Sequence, residues 1–509
     1  MAEMSESSAR RCALDGMVGG QGFDVVIVCT GTEAQASYWK GKLEERRVIP
    51  STCEVICVHE DWKSGGAGNG LGTLYAWQKA ADESLTAKLK TKEISVALYH
   101  TAGKGTRLAP LPGAENNNKP GVKLPACVGE APLTILESVI KQTGIYAASR
   151  KGRLSVFWGD QIFVPTVAFT YEPTAHADIL CALGPMPSAE EWAEQGLDKY
   201  GLIAVARSGD ACQIEKVDHA TAVAMTKDLG EIVAVGTSLG SFSVSSTLLE
   251  CFLSEFQPEL KRQDVSLDTD PHWWMPATLP TDAYCQLMAK KGQDEATSKK
   301  HKARIDAMLE KNSLKTPNGY AHFLGPVDVG ANAYWWDYGQ LKLYLKNAFR
   351  LIAPGVEADA MREFMGVKCV DGSARSNANL GADSKVTASV LANVNVESLH
   401  AHEAVVVNTT AKKLVCGKGA VAYNVLEENG ELVLADGEVL TDVFMPDGSK
   451  VRQRSRIDID GGKAWKTTIE GNPFSFEQVY KTNLTTDVVQ TSKLANDKHK
   501  ALAATLNLL

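Results

Sequence analysis

Short, almost wholly apolar runs alternate with helix-length segments through the first third of the chain. DVVIVCTG (24–31) precedes QASYWKGKLEERR, EVICVHE (54–60) precedes LYAWQKAADESLTAKL, ISVALYHTAG (94–103) precedes LTILESVIKQTGIYAASR, and LSVFWGD (154–160) follows. A strand apolar on both faces has to be covered on both, and helical crossovers join parallel neighbours. The pattern therefore predicts βαβ units around a buried parallel sheet, an α/β fold. Ligands of such sheets gather beyond the carboxyl ends of the strands, where HTAGKGTRL, VHEDWKSGGAGNGLGT and WGDQ all fall.

From about residue 165 to 365 the alternation loosens, with YGLIAVA (200–206), AVGTSLGSFSV (234–244) and FLGPVDVGANAYWWDYG (323–339) reading as strands and turns. MAKKGQDEATSKKHKARIDAMLEKN (288–312) has the mixed charge of a solvated helix. From Leu380 a small or apolar residue recurs every six positions, which suggests a parallel β-helix; an ordinary antiparallel β-domain is the alternative. The expected divisions are a flexible start over 1–20, one unit over 21–365 and a β-helix-like unit over 366–509.

Charge narrows the function. A net charge of −8 provides no broad basic surface for a nucleic-acid polymer, so an anion site has to be a local cluster of Lys and Arg, suited to a small phosphorylated ligand. Eleven cysteines without CxxC pairs read as reduced thiols. No run has the length of a membrane span or the apolar core of a signal peptide, so a cytoplasmic protein without a membrane partner is expected.

The candidate chemistry lies in HTAGKGTRL. A Walker loop needs Ser or Thr after its Gly-Lys, but Gly105 follows Lys104; the dinucleotide fingerprint needs a third glycine where Leu108 stands. Ala102, Gly103, Gly105, Thr106, Arg107 and Leu108, followed by KPGVKLPACVGEAPLTILESVI, instead resemble the AGxGTR loop of the sugar-1-phosphate nucleotidyltransferases, the nucleotide-sugar pyrophosphorylases. That resemblance implies an enzyme joining a nucleoside triphosphate, UTP or GTP, to a sugar 1-phosphate with release of pyrophosphate. Lys123 resembles the family's second phosphate-binding lysine and shares a catalytic role with Arg107. Asp160 in WGD and Asp337 in WWDYG resemble the pair that binds Mg2+, while Glu215 and Lys216 in QIEKVDH resemble the pair holding the sugar phosphate, with Val217 where the family usually has proline.

Gly70, Gly72 and Thr73 in GLGTLYAWQKA resemble the LGTxxA segment that recognises the base, with Ala102, Gly103, Gly105 and Thr106 as further nucleotide-binding residues. That segment usually follows the signature loop, whereas here it comes first. The implied fold is a Rossmann-like nucleotidyltransferase sheet with reordered strands, followed by a parallel, left-handed β-helix-like domain that offers a surface for a homo-oligomer. The early order, with Gly65, Gly66, Gly68, Gly70, Gly72 and Thr73, also resembles the fucose-1-phosphate guanylyltransferases. Two other functions stay open: a non-catalytic nucleotide-sugar-binding subunit, and a cytidylyltransferase for a non-sugar phosphate. His100 is expected to be satisfied by backbone, and Trp273, Trp274, Trp335 and Trp336 to lie in the core or line a sugar pocket.

Overall fold

A computed structural model describes residues 4–45, 47–63, 65–315 and 320–508. The four apolar runs are strands: β1 (Val25–Thr30), β2 (Glu54–His59), β3 (Val96–His100) and β4 (Arg153–Trp158). They pair in parallel in the order β2-β1-β3-β4, and their carboxyl ends are level, with Thr30 opposite His59, Cys29 opposite His100 and His100 opposite Trp158. All six residues of β1 are buried, which is why its sequence carries no polar alternation.

The helix α2 (Glu33–Glu44) crosses from β1 to β2, and α3 (Gly68–Ala80) leads on from β2 towards β3. Leu43 and Trp39 of α2 join the core on one side of the sheet, whereas Leu71 and Leu74 of α3 join a separate core. This crossover to the opposite side places β3 beyond β1 rather than beyond β2. The strand bearing the glycine turn thus sits between β1 and β4, although it is third in sequence.

A mixed extension continues the sheet. It comprises β6 (Ala175–Gly184), β7 (Gly201–Ala206), β8 (Ala211–Glu215), β9 (Ile232–Ser245) and β10 (His322–Asp328), with β9 antiparallel to β4, β6 and β7. Between β4 and β6, the short strand β5 (Gln161–Val164) pairs with β11 (Tyr334–Asp337). Trp273 and Trp274 are core residues against Phe252, and Trp336 is buried beside Phe364; Trp335 is exposed.

Two expectations change. Within the stretch taken as a flexible start, Glu6–Val18 form helix α1, capped by Ser5 and burying Ala9, Ala13 and Met17 four residues apart on one face. The small residues on that face kept the segment's apolar signal low.

The six-residue step also gives way to a longer one. Beyond residue 370, β12 (Ser373–Leu380), β13 (Val390–His402), β14 (Val405–Cys416), β15 (Val421–Tyr423) and β16 (Glu438–Phe444) stack in parallel. Asn377, Asn393, Asn408 and Asn424 occupy equivalent positions with positive φ and bond in a ladder, each amide donating to the next side chain 16, 15 and 16 residues on. Antiparallel pairing is confined to the stack's two ends.

This stack is continuous with the rest of the molecule. Val405, Val421 and Tyr423 belong to the same core cluster as Leu108, Leu111 and Val122. The last helices, Phe476–Asn483 and Val488–Thr505, return to the glycine turn, where Asn117 donates to the Tyr480 carbonyl at 2.7 Å and Asn483 to the Gly113 carbonyl at 2.9 Å. All eleven cysteines are free thiols, and no helix among the described residues is long and apolar enough to cross a membrane.

Candidate active site

The turn after β3 leaves the sheet with Thr101 fixed to the Cys29 carbonyl by its N–H and by its hydroxyl. Gly103 and Gly105 then take φ values of +126° and +63°, which L side chains rarely adopt. Ala102, Gly103 and Lys104 are exposed. Among the described residues, the backbone N–H groups of Ala102, Gly103, Lys104 and Gly105 donate to no protein acceptor. Exposed residues of a glycine turn whose N–H groups lack protein acceptors leave those groups for water or an anion.

Beside this turn stand two acids. Asp160 follows β4 and Asp337 ends β11; the pairing of β5 with β11 sets Asp337 opposite Gln161, and the Tyr338 N–H donates to the Asp160 carbonyl at 3.0 Å. A β-carbon built on Gly339 would lie 3.0 Å from Asp337 Oδ1 and 3.3 Å from Asp160 Oδ2, so one small group can touch both carboxylates. Burial and the neighbouring charge of Asp160 hold Asp337 above the usual carboxylate range, against the lowering effects of the Gly339 N–H, Lys119 and Arg107. A cation between the two acids would relieve that repulsion.

Two cations attend the acids. Lys119 Nζ lies 2.6 Å from Asp160 Oδ2, while Arg107 is exposed and has no ion-pair partner among the described residues. Sequence reading named Lys123 and did not consider Lys119, and the structure separates their situations. Lys123 Nζ is held 2.5 Å from the buried Glu115, its N–H donates to the Tyr423 hydroxyl and its carbonyl accepts from Tyr344. The ammonium nearest the acids is that of Lys119. Lys119, His100, Trp158 and Asp160 line a cavity of about 230 Å³ with Thr101 and Ala102.

The second glycine-rich segment is largely occupied by its own packing. Gly70 and Leu71 donate to the Leu267 carbonyl and Asn69 to Asp268 Oδ1, so the first turn of α3 already has protein acceptors. A β-carbon on Gly70 would lie 2.8 Å from the Leu267 oxygen and 3.2 Å from the Trp273 ring, which explains the glycine by close approach. Gly72 faces Glu60 and His100, with its β-carbon position 3.0 Å from Glu60 Oε2.

Thr73 reaches the other loop directly. Its hydroxyl is 2.9 Å from His100 Nε2, and His100 stacks on Trp158 at 5.7 Å. His100 is thus satisfied by a side chain rather than by backbone, and it ties α3 to the end of β3. Burial pushes its pKa down to about 4, so the ring is neutral near pH 7.

Glu215 and Lys216 stand farther along the same edge, because β8 is separated from β4 by β7 and β9. Glu215 pairs with Lys216 at 3.2 Å and with Lys291 at 2.8 Å; Lys216 is well exposed, with φ +53°. On the opposite side, Gly461 and Gly462 pack against Thr106 and Arg107, and Lys104 Nζ lies 5.7 Å from the Tyr480 ring centre. No signal in the early sequence pointed to these C-terminal neighbours. Compared with models of known protein families and with curated protein sequences, the chain matches none.

Proposed function

We propose that the protein is a sugar-1-phosphate nucleotidyltransferase, which joins a nucleoside triphosphate (UTP or GTP) to a sugar 1-phosphate. The observation that carries this reading is the convergence of the free N–H groups of Ala102–Gly105 with Asp160, Asp337, Lys119 and Arg107. Two acids and two cations beside an anion-ready turn suit a triphosphate and a divalent cation together.

The reaction would proceed by attack of a sugar phosphate oxygen on the α-phosphorus, forming one P–O bond as the bond to the bridging oxygen of the β-phosphate breaks. Pyrophosphate leaves with that electron pair. Little covalent work falls to the protein; its task is positioning and charge neutralisation. The glycine turn cradles the phosphates, Arg107 and Lys119 offset the charge gathering on the leaving group, and exposed Lys216 holds the incoming sugar phosphate. Lys123, committed to Glu115, supports the turn from behind. Asp160 and Asp337 would hold Mg2+, which supplies Lewis-acid neutralisation of phosphate charge.

The finer fold assignment belongs to the same reading: a Rossmann-like nucleotidyltransferase sheet whose signature strand is reached by a different connection, followed by a β-helix-like stack. A cytoplasmic enzyme, assembling through that stack as a homo-oligomer, completes it. The test is pyrophosphate release by the purified full chain with Mg2+, screened over the four nucleoside triphosphates against a panel of sugar 1-phosphates. Release that requires a sugar 1-phosphate supports the proposal. Release only with a non-sugar phosphate and CTP would favour a cytidylyltransferase, and binding without release a non-catalytic subunit.

A further inference from the structure

The glycine turn borders a second cavity, on the side away from the acids. It is an open cleft of about 340 Å³, within the usual range of roughly 300–1,000 Å³ for small-molecule sites. Its near wall is the end of β1 and the start of α2, with Thr32 and Gln35; its far wall is the C-terminal segment from Tyr480 to Val488. Ala102 and Gly103 belong to its lining, so it reaches the glycine turn at two of the four residues with free N–H groups.

The lining differs in kind from that of the cavity beside Asp160. It holds no Lys or Arg, and its single carboxylate, Asp487, is taken up in capping Val489 and Gln490. The rest of the lining is uncharged: it includes the carboxamides of Gln35, Asn116, Asn117 and Asn483 beside the apolar Leu484 and Val488, and while Asn117 is committed to Tyr480 and Asn483, the Gln35 carboxamide has no protein partner among the described residues. Asn483 is 4% exposed, its nitrogen is fixed on Gly113 and Asn117, and its carboxamide oxygen is buried behind the wall of the cleft with no hydrogen-bond partner among the described residues. The Tyr480 ring adds an aromatic surface to the wall.

A cleft rich in planar amides, with Asp487 as its one charged lining residue, suits an uncharged, planar group with both donors and acceptors, and it joins an anion cradle whose other side is charged. We propose that this cleft holds the nucleoside of the triphosphate, so that the C-terminal segment Tyr480–Val488 is part of the nucleotide site. The inference rests on the nucleotidyltransferase reading and extends it to residues far from both glycine turns.

Calorimetric titration of the full chain with UTP, GTP and inorganic tripolyphosphate tests it, because tripolyphosphate probes the turn without the cleft. Two variants intrude on the cleft: Thr485→Trp, at an exposed loop position, and Gln35→Leu, whose backbone cap to Thr32 is retained. Circular dichroism confirms that each is folded, and either one alone suffices. The expected result is a loss of at least about tenfold in affinity for the tighter nucleotide, with tripolyphosphate binding within about twofold of wild type. Unchanged nucleotide affinity in a folded variant, or parallel weakening of both ligands, overturns the inference. If wild type binds tripolyphosphate but no nucleotide more tightly, the cleft assignment alone falls; if it binds neither, the nucleotidyltransferase reading falls with it.

Discussion

Lys119 and Lys123 are four residues apart and have opposite surroundings, so their substitutions should separate function from stability. Lys119→Met removes an ammonium from the acids at a half-buried site, and turnover should fall by about 100-fold while stability changes by under about 1 kcal/mol. Lys123→Met leaves Glu115, whose side chain is 7% exposed, with the Tyr423 hydroxyl but no cation, and should cost about 3 kcal/mol in chemical denaturation. His100 gives a pH prediction with a definite sign. Its folded pKa of about 4 lies below the ordinary histidine value of 6.5, so its contribution to stability is full above pH 6.5 and is lost as the pH falls towards 4. Between pH 7.5 and 5, His100→Gln should lose about 2 kcal/mol less stability than wild type in urea unfolding. At this scale the sequence was informative where a residue type is tied to a strand end, as with Asp160. It was silent on the choice of lysine, because that choice depends on an ion pair formed across 41 residues.

The two glycine-rich segments make different use of glycine, and this distinction belongs to the elements rather than to single residues. In α3 the glycines admit another backbone: Gly70→Ala should destabilise the fold by about 1–3 kcal/mol through its clash with Leu267 and Trp273, read as a lower melting temperature. In the turn after β3, a β-carbon on Gly103 meets nothing within 4 Å, and its φ of +126° is the constraint. Gly103→Ala should therefore cost about 1 kcal/mol of stability but weaken tripolyphosphate binding by at least about tenfold, because the alanine backbone leaves that conformation. The strands β1 to β4 were legible because burial on both faces writes itself as unbroken apolar runs. The commitment of α3's first turn to Leu267 and Asp268 was not, since those acceptors lie some 200 residues away and nothing local marks them.

Across the whole molecule, the asparagine ladder links the C-terminal stack to the segment ahead of Lys119. Asn424 Nδ2 donates to the carbonyls of Ala114 and Asp442, at 3.3 and 3.1 Å. Asn408→Ala would leave the Asn393 amide and the Asn424 oxygen unpaired at a 2% exposed position, and it should cost about 2–4 kcal/mol in denaturant unfolding. The stack's parallel character was visible in its recurring small and apolar residues, but its 15- to 16-residue repeat was not, because the asparagines that mark it look like ordinary turn residues. The return of the last two helices was likewise invisible, for their amphipathic pattern says that they pack but not against what.

That return has a consequence in time. Residues 476–505 emerge some 370 residues after the turn beside which they supply a wall. A nascent chain stalled before them, or one shortened by a premature stop codon, carries every motif of the amino-terminal half and still lacks one of the two walls of the cleft.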